Sequence, residues 1–135
     1  MPRAGLQTRI KKIKFLVCDV DGVLTDGGIL MGAQGELKSF SVLDGTGLVL
    51  ARLAGMQSAF LSGRTSPVNK LRARECRVPW VMQGVAEKAP AFERLCRLAG
   101  VEPVEAAFVG DDLIDLPVFK KAGVAIAVAN ARPEV

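Results

Sequence analysis

One stretch constrains this chain more than any other: Phe15-Leu16-Val17-Cys18-Asp19-Val20-Asp21-Gly22-Val23-Leu24-Thr25. A continuous apolar run ends in two aspartates one residue apart, and then a glycine. Short apolar runs bounded by turn residues read as strands buried on both faces, the kind a parallel sheet uses. In an open parallel sheet, ligands bind outside the carboxyl ends of the strands. Asp19 and Asp21 therefore fall where chemistry is expected. On an extended chain they share a face, and a departure from the strand near Asp21 gives them separate tasks. Two anions this close repel, and a divalent cation relieves the repulsion. An acidic strand-end turn is the bland alternative, but one Asp is enough for a turn.

The rest of the chain alternates strands with helices. Further strands are predicted over 56–62, 78–83, 104–109 and 123–128, with the first over 13–19. Helices are predicted after Asp44, read as an N-cap, with Gly55 as the stop, then from Ser66-Pro67, over 87–98 and over 116–122. The pattern implies one α/β domain over 1–135, a Rossmann-like doubly wound parallel sheet. Residues 29–31 and 36–42 flank Gly32-Ala33-Gln34-Gly35 and read as a small β-hairpin insertion. A lone hairpin is marginal in water, so it needs a neighbour to pack on.

Composition narrows the chemistry. The chain has no histidine, so catalysis falls on carboxylates, lysine, arginine, hydroxyls and metal. The net charge of +4 comes from Arg3, Arg9, Lys11, Lys12 and Lys14, a basic leader over 1–12 and just beyond. With no aromatics for base stacking, that leader reads as solvated, and nucleic acid is not an expected partner. No apolar run is long enough for a membrane span, so no membrane partner is expected either. Cys18, Cys76 and Cys96 are widely spaced, without zinc spacing, and read as reduced thiols of a cytoplasmic protein.

Four strand ends carry reactive groups: Asp19 and Asp21; Ser62 and Arg64; the stretch leading to Lys88; and Asp111, Asp112 and Asp115. Acids from two strand ends suit a hard cation, and a hydroxyl and an ammonium suit anionic oxygens. That set fits phosphoryl transfer, where the protein mainly positions groups and neutralises charge. The order Asp-Val-Asp-Gly-Val-Leu-Thr-Asp, Ser-Gly-Arg, Lys, Gly-Asp-Asp-Leu-Ile-Asp resembles the haloacid dehalogenase superfamily of phosphohydrolases, from Phe15 to Val128.

The resemblance implies roles by position. Asp19 would be the nucleophile that forms an aspartyl-phosphate, and Asp21 would protonate the leaving oxygen and then activate water. Mg²⁺ would be held by Asp19, the backbone carbonyl of Asp21, and Asp111. Asp112 and Asp115 would support that shell, and Ser62 and Lys88 would hold phosphoryl oxygens. No segment between these motifs is long enough for a separate cap domain, so a partner or neighbouring subunit would supply a lid. Within the superfamily, Lys38-Ser39-Phe40-Ser41-Val42-Leu43-Asp44-Gly45, Ser62-Gly63-Arg64-Thr65-Ser66 and Gln83-Gly84 are similar to the 3-deoxy-D-manno-octulosonate 8-phosphate phosphatases. That family implies a phosphorylated sugar acid as substrate, a nonulosonate 9-phosphate being a related one, and a place in lipopolysaccharide biosynthesis. It also implies a homotetramer whose hairpins pack together, each subunit partly covering a neighbour's site. Ser41, Val42, Leu43, Asp44, Gly45, Arg64 and Arg72 would then face the sugar, and arginine is well shaped for its carboxylate. Val49 stands where the family usually has an arginine, and the family's glycine-rich tail has no counterpart before Val135. The competing reading is a non-catalytic oligomerisation domain on the same scaffold, as in domains fused to nucleotide-sugar synthetases. A pure scaffold, however, has no use for the charge cluster of Asp19, Asp21, Lys88 and Asp111.

Overall fold

The structure, a computed structural model, describes residues 5–135. Arg3, and with it the start of the expected leader, lies outside the described residues. Within the leader, Leu6–Ile10 form a short helix, α1, and Arg9 Nη1 donates to the Gly123 carbonyl at 3.0 Å. Five parallel strands make the main sheet: β1 (Phe15–Cys18), β4 (Gln57–Leu61), β5 (Trp80–Met82), β6 (Ala106–Gly110) and β7 (Val124–Ala127). Their order is β5-β4-β1-β6-β7, which puts β1 at the centre. The other two strands, β2 (Leu30–Gly32) and β3 (Gly35–Leu37), form a separate antiparallel hairpin.

The period-two alternation of strands divides the interior into two cores. Phe15 and Val17 of β1 face Phe92, Leu95 and Cys96 of α4 (Lys88–Ala99) and Val118 of α5 (Leu116–Lys121). Cys18 points the other way, toward Leu48 of α2 (Val42–Leu53) and Ala73 of α3 (Pro67–Glu75). Helices thus cover both faces, and the β1 sequence is apolar throughout because neither face meets water. Each described helix except α1 lies between two sheet strands in sequence. Between β1 and α2 there is only the hairpin, and no second domain lies among the described residues.

Two boundaries differ by three residues or more from those predicted. The second hairpin strand ends at Leu37, not near Val42, because Ser41 begins the next helix. Ser41, not Asp44, is the N-cap: its hydroxyl accepts the Leu43 N–H at 3.2 Å, and Asp44 falls in the first turn. The predicted stop holds: Gly55 takes positive φ just past α2, and Gly100 does the same after α4.

Candidate active site

Because the strands are parallel, the segments that follow β1, β4, β5 and β6 all leave the sheet at one end. β1 delivers Asp19, whose own N–H donates to the Val109 carbonyl on β6 at 3.0 Å. Asp19 is buried, its Oδ1 accepting the Val20 N–H at 2.7 Å and its Oδ2 lying 3.0 Å from Lys88 Nζ. Lys88 is the first residue of α4, which runs back over the sheet, and its ammonium also reaches Asp115 Oδ1 at 2.7 Å. Asp115 is fully buried, and its Oδ2 accepts the N–H groups of Asp111 and Asp112 at 3.0 and 3.2 Å. It therefore holds both the lysine and the loop after β6.

Carboxylate oxygens of Asp19, Asp111 and Asp115 lie within 4.8 Å of one another. Burial pushes the Asp19 carboxyl up to about 7, although Lys88 pulls it down. Asp111 is raised too, first by burial and then by the Asp115 charge, against a hydrogen bond with Asp19. Burial alone would lower Lys88, but the Asp19 and Asp115 carboxylates outweigh it and hold the ammonium above its usual range. One ammonium thus serves three clustered acids, a deficit of positive charge that a divalent cation would fill. Asp19, Asp111 and Asp115 each offer a carboxylate oxygen to that space, and Asp115 also holds Lys88 and the two loop N–H groups. Gly22 makes this approach possible. It has φ +84°, and a Cβ there would overlap the Asp111 carboxylate.

The other predicted residues fall as follows. Ser62, buried just past β4, accepts the Arg64 N–H at its hydroxyl, 3.2 Å away. Asp112 turns outward instead of joining the cluster. Its Oδ1 accepts the Leu113 N–H at 2.7 Å and lies 3.9 Å from Arg132 Nε. Ser41 to Gly45 make the exposed turn opening α2, with Val42 and Leu43 pointing their apolar side chains outward. Arg64, 44% exposed, pairs with Glu36 at 2.8 Å. Arg72 is only 13% exposed. It donates to the Ser41 carbonyl at 2.8 Å, pairs with Glu75 at 2.9 Å and lies 5.3 Å from the Phe40 ring centre. It props the turn from beneath.

Sequence reasoning missed a residue beside Asp21. The Lys38 ammonium, on a fully buried side chain, lies 2.8 Å from Asp21 Oδ1. Asn69 Oδ1 accepts from it at 3.0 Å, and Glu36 Oε1 is 3.7 Å away. A signal was available. Glu36 and Lys38 alternate around Leu37, so two charges share one hairpin face and a leucine takes the other. Leu37 is the exposed one, the reverse of ordinary patterning, so the charged face points at the site.

Cys18, Cys76 and Cys96 are free and buried. Burial pushes the Cys18 thiol up to about 12, with help from the Asp44 and Asp19 charges. It is therefore a packing residue, not a nucleophile. No helix among the described residues is long and apolar enough to cross a membrane.

The haloacid dehalogenase-like hydrolase profile matches residues 77–135. The 3-deoxy-D-manno-octulosonate 8-phosphate phosphatase KdsC of Haemophilus influenzae is 42% identical over 127 residues, covering 93% of this chain and 71% of that protein. A cobalt-bound deoxy-D-mannose-octulosonate 8-phosphate phosphatase from the same species superposes with a TM-score of 0.89 at 42% identity, covering 92% and 73% of the two chains. A Moraxella catarrhalis 3-deoxy-D-manno-octulosonate 8-phosphate phosphatase, in complex with magnesium, phosphate and KDO, gives 0.89 at 37% identity over 93% and 73%. The parallel sheet and its strand-end acids and lysine define a haloacid dehalogenase-like hydrolase of the phosphatase kind. Within that class, the chain belongs to the 3-deoxy-D-manno-octulosonate 8-phosphate phosphatase family.

Proposed function

We propose that the chain is a Mg²⁺-dependent phosphomonoesterase for a phosphorylated sugar acid, 3-deoxy-D-manno-octulosonate 8-phosphate or a related nonulosonate 9-phosphate. The observation that carries this is the convergence on Asp19 of Lys88, at 3.0 Å, and of Asp111 and Asp115, residues remote in sequence. When bound by Asp19, Asp111 and the Asp21 carbonyl, Mg²⁺ would neutralise phosphoryl oxygens that otherwise repel the nucleophile. Asp19 attacks phosphorus, the P–O ester bond breaks, and the leaving oxygen takes a proton from the Asp21 carboxyl. Asp21, now a carboxylate, takes a proton from water as that water attacks the aspartyl-phosphate. This returns Asp19 and releases inorganic phosphate. Lys88 and Ser62 hold the transferred oxygens, and Asp115 keeps Lys88 charged and in place. Asp112 supports the arrangement from further out by capping the turn that carries Asp115. The turn from Ser41 to Gly45 and Arg64 form the rim for the sugar acid, with Arg72 bracing it.

The hairpin has the character of an interface between copies. Met31 is 75% exposed and Leu30 67%, an apolar surface that a homotetramer would cover. Three buried free thiols suit a cytoplasmic setting.

A panel of phosphorylated sugars and sugar acids, with Mg²⁺ and with chelator, tests the proposal. Phosphate release from an eight- or nine-carbon acid sugar phosphate, lost with chelator and in Asp19→Asn, is expected. Release unchanged by Asp19→Asn would remove the proposed nucleophile.

A further inference from the structure

Lys38 takes no part in the phosphoryl transfer itself, yet its side chain is fully buried. An ammonium withdrawn from water needs acceptors on every side. Here Asn69 Oδ1 accepts at 3.0 Å, and the carboxylates of Asp21 (Oδ1, 2.8 Å) and Glu36 (Oε1, 3.7 Å) balance its charge as ion pairs. Asn69 is itself fully buried, and its amide cannot turn away. Its Nδ2 donates to Gln83 Oε1 at 3.0 Å, and that oxygen also accepts the Ser66 N–H at 2.8 Å. The Asn69 oxygen is thereby left facing Lys38. The ammonium is thus placed by α3 and the segment after β5, independently of Asp21. Among the described residues, Lys38 is the one side chain paired with Asp21. The Asp21 Oδ1 it meets is sealed from solvent and held by the ion pair alone, with no hydrogen bond, while the side chain as a whole keeps 20% exposure.

We infer that Lys38 is a positioning residue for Asp21, pinning one carboxylate oxygen so that the other is presented to the leaving oxygen of the substrate. This rests on the reading of Asp21 as proton donor. A carboxylate on a short side chain just past a strand has two torsions to settle. A misplaced donor loses much of its effect, because transfer requires hydrogen-bond reach. A fixed ammonium beside the far oxygen narrows the range of both torsions before the substrate arrives. The donor's frame is then distributed. The hairpin supplies Lys38, α3 supplies Asn69, and Gln83 follows β5. Glu36 joins the same frame to Arg64 at 2.8 Å, so one hairpin face touches both the proton donor and the rim.

The test compares esters with poor and good leaving groups. Steady-state kcat/KM reports only steps up to departure of the leaving group. Water attack on the phosphoenzyme therefore does not enter. Lys38→Met, Lys38→Arg and Asp21→Asn are each assayed with 3-deoxy-D-manno-octulosonate 8-phosphate and with 2,4-dinitrophenyl phosphate. Lys38→Met is expected to lower kcat/KM for the sugar ester on the order of 100-fold, and for the aryl ester by less than about 5-fold. Lys38→Arg should restore part of the difference. Equal losses on both esters, alongside a selective loss in Asp21→Asn, would overturn the positioning role and leave the donor intact. Equal losses in Asp21→Asn itself would overturn the donor reading beneath it. Should Lys38→Met fail to fold, Asn69→Ala decides. Removing the anchor for Lys38 is expected to give the same selective loss in milder form, and an unselective effect there would overturn the inference.

Discussion

At the scale of single residues, Asp19 is held under opposed forces. Burial raises its proton affinity and Lys88 lowers it, leaving a carboxyl pushed up to about 7. A native pKa above the unfolded value means the folded state binds more protons between the two. The metal-free protein should therefore lose stability as pH rises from about 4 to about 7. Lys88, raised above its own ordinary value, stays charged throughout that window and does not alter the sign. A cation removes the penalty on the carboxylate form, so the rise in melting temperature on adding Mg²⁺ should grow between pH 5.5 and 8. Thermal denaturation across that range, with and without Mg²⁺, measures this. A Mg²⁺ shift that is flat or falls with pH would be the wrong sign. Gly22 gives a second residue-scale prediction. Gly22→Ala combines a strained φ of +84° with overlap of the Asp111 carboxylate. It should cost about 1–3 kcal/mol in chemical denaturation and displace Asp111, with Mg²⁺-dependent turnover falling at least ~10-fold.

At the scale of elements, the opening turn of α2 and the hairpin are where the fold departs from the sequence pattern, and both are testable. Ser41→Ala removes the N-cap acceptor and should cost about 1 kcal/mol in urea denaturation, whereas Asp44→Ala should cost less, since Asp44 caps nothing. The sheet was legible because the strands of an α/β core are apolar and end at glycines and acids. The positions of Asp19, Ser62 and Asp111 were legible for the same reason, since each directly follows a strand, whereas Lys88 opens the helix after β5. Asp112 was harder, because the Gly-Asp-Asp-Leu-Ile-Asp spacing does not say which acids turn inward. The backbone sends Asp115 in and Asp112 out. Lys38 lay on a hairpin whose pairing partner is not the main sheet, and no periodicity of the core points to it. Asn69 was hidden in a helix whose buried face is polar at that position. Its role emerges only once Gln83 and Lys38 are seen on either side of its amide.

At the scale of the whole molecule, helices cover both faces of the main sheet, while apolar surface stays open on α2, where Leu50 and Leu53 are exposed, and on the hairpin. Leu30, Met31 and Leu37 stand exposed on it. Leu30→Glu with Met31→Glu should shift the protein toward monomer in sedimentation while leaving the melting transition of the core within a few degrees. Unchanged sedimentation would count against the hairpin as an interface between copies. The hairpin also carries Lys38 and Glu36 into the site, so loss of assembly should lower activity as well, by loosening Asp21 and Arg64 together.

Asp19 is the proposed acceptor of the phosphoryl group, and covalent capture reads that transfer out. Enzyme mixed with 3-deoxy-D-manno-octulosonate 8-phosphate and Mg²⁺, quenched in acid within milliseconds and digested, should yield a base-labile phosphopeptide mapping to Asp19, absent in Asp19→Asn. Turnover by Asp19→Asn at the wild-type rate, with no labelled Asp19 peptide from the wild type at any quench time, would contradict it.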